Sequence, residues 1–242
     1  MTKRQIGKVA VDVTDRARAL AAIDAKACAG EPLMVGFCNA HTVNMADARP
    51  DFAASLADAL ILNDGIGVDL GSRILYSTRF PDNLNGTDLT PAVLDTAVCS
   101  LRLFLVGSPE GVAEQAAAVL AARYPRHSVV GTQHGFFGEA EESAIVDRIV
   151  ASGANLVLVG MGHPRQEIFA ARHWRRIAGV TMCIGAFLDF TAGRVSRAPG
   201  WVRALRSEWL YRLAIEPRRM ARRYLIDNVV FLKNRLAERR RA

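Results

Sequence analysis

From residue 103 to residue 184 the chain alternates short apolar runs with longer stretches of helical spacing. Segments 103–106, 128–130, 156–159 and 180–184 read as strands, and 110–122, 139–152 and 165–177 as the helices between them. Strands separated by helices of this length cannot pair as hairpins. They can pair in parallel, because a helical crossover returns the chain to the same end of the sheet. The strand runs are almost wholly apolar, as both faces of a helix-covered parallel sheet require. The fold class is therefore α/β, with a Rossmann-like parallel sheet as its core. Upstream, 33–38 and 59–62 read as two further strands flanking helical spacing over 41–56.

Each strand of the repeating unit runs into a glycine: Gly107, Gly131, Gly160 and Gly185. Ligands of open α/β sheets bind at the carboxyl ends of the strands, so these loops are the first place to look for a nucleotide. Gly160-Met-Gly162-His-Pro-Arg165 begins like a dinucleotide-binding turn, but its sixth position is Arg165 instead of glycine. It still places a helix N-terminus at a strand end, where backbone N–H groups can meet a phosphate. There is no GxxxxGK[ST] phosphate loop, and no DxD pair of the kind that holds a metal–nucleotide complex.

Charge divides the chain unevenly. Residues 194–242 hold 14 Lys/Arg against 4 Asp/Glu, whereas 1–193 hold 17 against 20. Within that last stretch Trp201, Leu205, Trp209 and Leu213 recur every four residues, an amphipathic stripe interleaved with arginines. Pro217 interrupts it, and 218–236 has the composition of a second helix. Such a segment suits a surface that presents anionic phosphate and lipid together. We expect a catalytic core over 1–193 and a basic helical, membrane-associating appendage over 194–242. The stripe fits a neighbouring copy of the chain as well as lipid. No apolar run reaches 18 residues and the start lacks a secretion signal, so a cytoplasmic protein is expected. The scattered cysteines, Cys28, Cys38, Cys99 and Cys183, read as reduced, buried thiols.

Asn63-Asp64-Gly65-Ile66-Gly67 follows a predicted strand. Asp-Gly is turn chemistry, and the same residues put a carboxylate at a strand end, where a general base is useful. Asn85-Gly86-Thr87-Asp88 reads as a loop with a helix N-cap at Thr87 or Asp88. Gln166 and Glu167 read as first-turn residues, and Asp189, set among Phe187, Leu188 and Phe190, needs a partner. His41, His134 and His163 lack metal-ligand spacing.

Together these segments resemble the bacterial WecG/TagA/CpsF glycosyltransferase family. The family's Asp-Gly-Ile-Gly element matches Asp64–Gly67, and its Thr-Gly-(Thr/Ser)-Asp element is similar to Asn85–Asp88. Its Gly-x-Gly-x-Pro-x-Gln-Glu signature matches 160–167, and a long run from Gly185 to Tyr224 follows in the same order. The resemblance implies an inverting transfer of a sugar from a nucleotide donor, usually a UDP-sugar, to a saccharide on a polyprenyl diphosphate. It places the enzyme peripherally on the cytoplasmic face of the inner membrane, in surface-polysaccharide synthesis such as exopolysaccharide, with no metal and no cofactor. By the same resemblance Asp64 is the base. Asn39 and Gln166 orient sugar hydroxyls, and Thr87, Asp88, Gly160, Gly162 and Glu167 line the substrate site, to which Gly107 is added as the glycine of a strand-end loop. Some of Arg212, Arg218, Arg219, Arg222 and Arg223 stabilise the departing diphosphate. Two positions depart from the pattern: Phe37 stands where the family often has Thr, and Asn83 where it has Arg.

A nicotinamide-dependent oxidoreductase is disfavoured by the incomplete glycine motif and by the missing acidic residue on a following strand. A nucleic-acid-binding protein is disfavoured by the Trp/Leu stripe in the basic segment.

Overall fold

A computed structural model describes residues 2–196 and 227–241. Six strands form one sheet: β3 (Leu33–Cys38), β4 (Leu60–Asn63), β5 (Arg102–Gly107), β6 (Ser128–Gln133), β7 (Leu156–Gly160) and β8 (Val180–Cys183). Their order across the sheet is β4-β3-β8-β7-β5-β6, and every pair is parallel. Alternate residues of each strand enter opposite layers of core. Leu103 and Leu105 join one cluster while Phe104 and Val106 join another, and Leu156 and Leu158 part from Val157 and Val159 in the same way.

The first layer is made by α1 (Arg16–Ala29), α5 (Gly86–Thr96), α6 (Val112–Arg123) and α9 (Phe187–Thr191). The second is made by α2 (Ala40–Ala48), α3 (Pro50–Ser55), α4 (Ile66–Tyr76), α7 (Glu139–Ala151), α8 (Arg165–His173) and the last described helix, α10 (Asp227–Arg239). An antiparallel hairpin, β1 (Lys3–Ile6) with β2 (Val9–Asp12), packs on this second layer. Asp12 Oδ2 pins it to β4 by accepting from the Ile61 N–H at 2.9 Å.

Two local features differ from the sequence reading for plain reasons. The helix expected over 41–56 is two helices, because Pro50 lacks an N–H and pushes Arg49 into extended backbone (φ −128°, ψ 103°). The α5 N-cap is Asn85, two residues earlier than the earliest expected cap, and its carboxamide oxygen accepts from the Asp88 N–H at 2.9 Å.

The cysteine reading is corrected. Cys28 and Cys99 form a disulfide. Helices α1 and α5 pack side by side and end at the same edge of the sheet, which brings the two Cα atoms to 5.8 Å across 71 residues of sequence. Cys38 and Cys183 are free and buried, as expected.

The far end of the basic stretch is built into the molecule. Helix α10 packs on α2 and α4, and its Phe231 is fully buried against Gly71, where even a Cβ would fall 2.6 Å from the ring. Arg235 is only 4% exposed and pairs with Asp47 at 2.6 Å. No helix among the described residues is long and apolar enough to cross a membrane. Trp201, Trp209 and the Trp/Leu stripe lie outside the described residues.

Candidate active site at the carboxyl edge of the sheet

Strand β5 continues into α6 on one layer, and its neighbour β7 into α8 on the other. Adjacent strands whose connections leave on opposite faces open a crevice at their carboxyl ends. The same divergence occurs between β3, which feeds α2, and β8, which feeds α9.

The β3–β4 register pairs Cys38 with Asn63, so the next residues, Asn39 and Asp64, emerge side by side. The Asp64 N–H donates to the Cys38 carbonyl at 2.8 Å, continuing the ladder by one bond. Asn39 caps α2: its Oδ1 accepts from the Thr42 N–H at 3.1 Å, and Thr42 Oγ1 accepts from the Asn39 N–H at 3.2 Å. That capping box leaves the Asn39 amide pointing the other way, and Nδ2 donates to Asp64 Oδ2 at 3.4 Å. Asp64 is half-buried at the mouth of the edge. Gly65 follows with φ +94°, a backbone angle that side-chain-bearing residues rarely adopt, and opens α4. Gly65 makes the turn that leaves the Asp64 carboxylate at the strand end.

The signature stretch follows β7, two strands from β3 and three from β4. Gln166 is 1% exposed. Its Oε1 accepts from the N–H groups of Gly162 and Gly185, both at 3.2 Å, and its Nε2 donates to Glu167 Oε1 at 2.6 Å. The side chain therefore ties the loop after β7 to the loop after β8. Glu167, also buried, faces His163 Nδ1 at 2.8 Å. The His163 ring lies 6.1 Å from the His41 ring, and His41 Nδ1 is 2.7 Å from Asp227 Oδ2 at the start of α10. Two neighbouring imidazoles, His163 and His41, are thus flanked by two carboxylates, Glu167 and Asp227, in a row that runs from α8 past α2 to α10. Sequence spacing could not show it, because Asp227 is 186 residues from His41.

Gly107 and Gly160 meet backbone to backbone: a Cβ on Gly107 would fall 2.3 Å from the Gly160 carbonyl oxygen. Ser108 follows with φ +56° and donates its N–H to that same carbonyl at 3.0 Å. Its hydroxyl is buried and has no hydrogen-bond partner among the described residues. Helix α6 begins just beyond at Gly111 with no side-chain cap. Those uncapped N–H groups and the Ser108 hydroxyl are donors suited to an anion.

Thr87 and Asp88 lie in the first turn of α5, on the opposite layer from α2. The Asp88 carboxylate accepts from Asn85 Nδ2 at 2.8 Å. Phe37 packs its ring against Gly86, where a Cβ would come within 2.9 Å. Asn83 touches the Asp64–Gly65 loop itself: its Oδ1 accepts from the Gly65 N–H at 2.6 Å. Asp189 has Arg194 as its partner, at 3.5 Å. Arg212, Arg218, Arg219, Arg222 and Arg223 lie outside the described residues. Among the described residues, the group of His, Cys, Asp or Glu side chains close enough to share an ion is Asp24, Cys28 and Cys99. It lies at the opposite edge of the sheet, and its sulfurs are joined in the disulfide.

The structure therefore brings Asn39 and Asp64 into contact, and Gly107, Gly160, Gly162, Gln166 and Glu167 into a second group along the same edge. A family model described as Glycosyl transferase WecG/TagA/CpsF family matches residues 4–242.

Proposed function

The chain belongs to the WecG/TagA/CpsF family of glycosyltransferases, which serve cell-surface polysaccharide synthesis, and on that premise we propose an inverting transfer with Asp64 as its base. The donor is a nucleotide sugar, a UDP-sugar by preference, and the acceptor is a saccharide on a polyprenyl diphosphate. Asp64 removes the proton of the acceptor hydroxyl as that oxygen attacks the anomeric carbon. The bond from the anomeric carbon to the diphosphate breaks in the same step, on the opposite face of the sugar.

The observation that carries this reading is the Asp64 carboxylate at the end of β4, oriented by Asn39 Nδ2 at 3.4 Å, on the same sheet edge as the glycine-lined loops. The donor diphosphate is assigned to the crevice between β5 and β7. There Ser108 Oγ and the uncapped start of α6 offer donors, and no side chain intrudes at Gly107 or Gly160. Arg212, Arg218, Arg219, Arg222 and Arg223 supply positive charge for the leaving group, in place of the metal that a DxD pair would hold. Docking to the inner leaflet belongs to the basic C-terminal stretch. The outward face of α10 fits that role, with Val229, Val230 and Leu236 exposed beside Lys233 and Arg239.

The test uses the purified full chain, a panel of UDP-sugars and a short-chain prenyl-diphosphate saccharide, with nucleotide release as the readout. Asp64→Asn is expected to lower turnover by about 10²–10⁴-fold, the usual worth of a general base, while donor binding persists. Turnover within a few-fold of the parent would remove Asp64 from the role.

A further inference from the structure

Asp64 carries its proposed role on a backbone that is soft on one side. Its N-terminal peptide is held by the ladder bond to Cys38, but its C-terminal peptide leads into Gly65, the residue type with the widest conformational freedom. A peptide unit is planar, so whatever fixes the Gly65 N–H fixes the plane that sets the Asp64 ψ angle. Helix α4 does not supply that anchor, since Gly65 is its N-cap and no side chain caps it.

Asn83 supplies it. Its Oδ1 accepts from the Gly65 N–H at 2.6 Å. The segment bearing Asn83 is delivered to this spot by three further bonds. Phe80 N–H donates to Asp69 Oδ1 at 3.1 Å, Asn63 Nδ2 donates to the Asp82 carbonyl at 3.0 Å, and Leu84 N–H donates to the Asn63 carbonyl at 2.7 Å. Asn83 is thus flanked on both sides by residues tied to the last residue of β4, and its side chain reaches past Asp64 to the next amide. Two residues on, Asn85 caps α5, so the same short segment spans from the Asp64 loop to Thr87 and Asp88.

We propose that Asn83 is a positioning residue for the transfer: as a hydrogen-bond acceptor it locks the Asp64–Gly65 peptide and so aims the Asp64 carboxylate. The inference rests on the reading of Asp64 as the base. The role needs an acceptor. An arginine, the residue seen in the family pattern here, has five donors and no acceptor and cannot make this bond. The departure at Asn83 therefore changes the kind of contact made at the loop.

The experiment compares kcat, KM for donor and acceptor, and the pH dependence of kcat for the parent, Asn83→Leu, Asn83→Asp and Asp64→Asn, each checked for folding by circular dichroism and thermal melting. Asn83→Leu removes the acceptor at similar volume. It is expected to lower kcat by about 10–100-fold, the scale of a base misplaced by roughly 1 Å, with each KM moving less than about threefold. Asn83→Asp keeps an acceptor oxygen. It is expected to recover most of the kcat above neutral pH, with the acid limb of the profile moved upward by the added negative charge beside Asp64. A merely structural role would lower both variants alike. Full kcat in Asn83→Leu, or equal loss in Asn83→Leu and Asn83→Asp at every pH, overturns the proposal. If Asp64→Asn is inactive while Asn83→Leu is fully active, only the Asn83 role fails. Near-full activity in Asp64→Asn defeats the base reading itself.

Discussion

Burial pushes the thiols of Cys38 and Cys183 far above the ordinary range, and the negative charges of Asp64 at Cys38 and Glu167 at Cys183 push them further. Asp64 and Glu167 are thus each felt by a cysteine at the end of an adjacent strand. The reactive species is the thiolate, which these sites disfavour. Treating the native protein with iodoacetamide at pH 8 should leave both residues unmodified, and unfolding should expose them; mass spectrometry of the digested protein distinguishes the two. The same shifts set a direction for stability. With the folded values raised, the contribution of each thiol is full below the unfolded value near 8.5 and is lost as pH rises beyond it. At this scale the sequence was most legible where local chemistry sufficed. Asp64 at a strand end and Asn85–Asp88 as a helix start needed only their neighbours. Asn83, by contrast, acts on Gly65 across 18 residues, and no spacing rule announces a side chain that serves another residue's amide. Gln166 was visible as part of a motif, but its commitment to Gly162, Gly185 and Glu167 emerges only once β7 and β8 are neighbours.

Helix α10 shows the same contrast one level up. Helical composition marked it, and its charge marked it as a surface element, yet Phe231 and Arg235, four residues apart on one face, turn inward. Arg235 is ion-paired to Asp47 at 2.6 Å and to Glu238 at 3.2 Å, and its guanidinium lies 5.5 Å from the Phe231 ring centre. A buried arginine is legible only with its partner, and Asp47 is 188 residues away. Replacing Phe231 by Ala should cost about 3–5 kcal/mol through lost burial and the cavity left over Gly71, read as a lower midpoint in urea unfolding. An unchanged midpoint would mean that α10 does not pack as described. The β1–β2 hairpin escaped the sequence reading for a different reason. Its four-residue strands lie in a separate two-stranded sheet, too short for periodicity to declare itself.

At the scale of the whole molecule, strand–helix alternation was enough to give a parallel sheet, because few other arrangements bury such strands. It did not give the order β4-β3-β8-β7-β5-β6, which depends on which faces the crossovers take. Nor did it reveal that α1 and α5 end together and join Cys28 to Cys99. That bond closes a loop of 71 residues. In the chain-entropy model such closure is worth about 4 kcal/mol, so reductant should lower the denaturation midpoint by a corresponding amount. A Cys28→Ser, Cys99→Ser double variant should match the reduced parent and respond no further to reductant; equal midpoints with and without reductant would mean that the bond is absent in solution. The packing of α10 has one more consequence, for the order in which these segments can become native on the ribosome. Ile6 from the first strand and Phe231 from the last helix lie in the same cluster, and the Arg235 guanidinium rests against Gly7. The hairpin is synthesised before α10, and its core has no closing piece until that helix emerges, so a segment made early becomes native late.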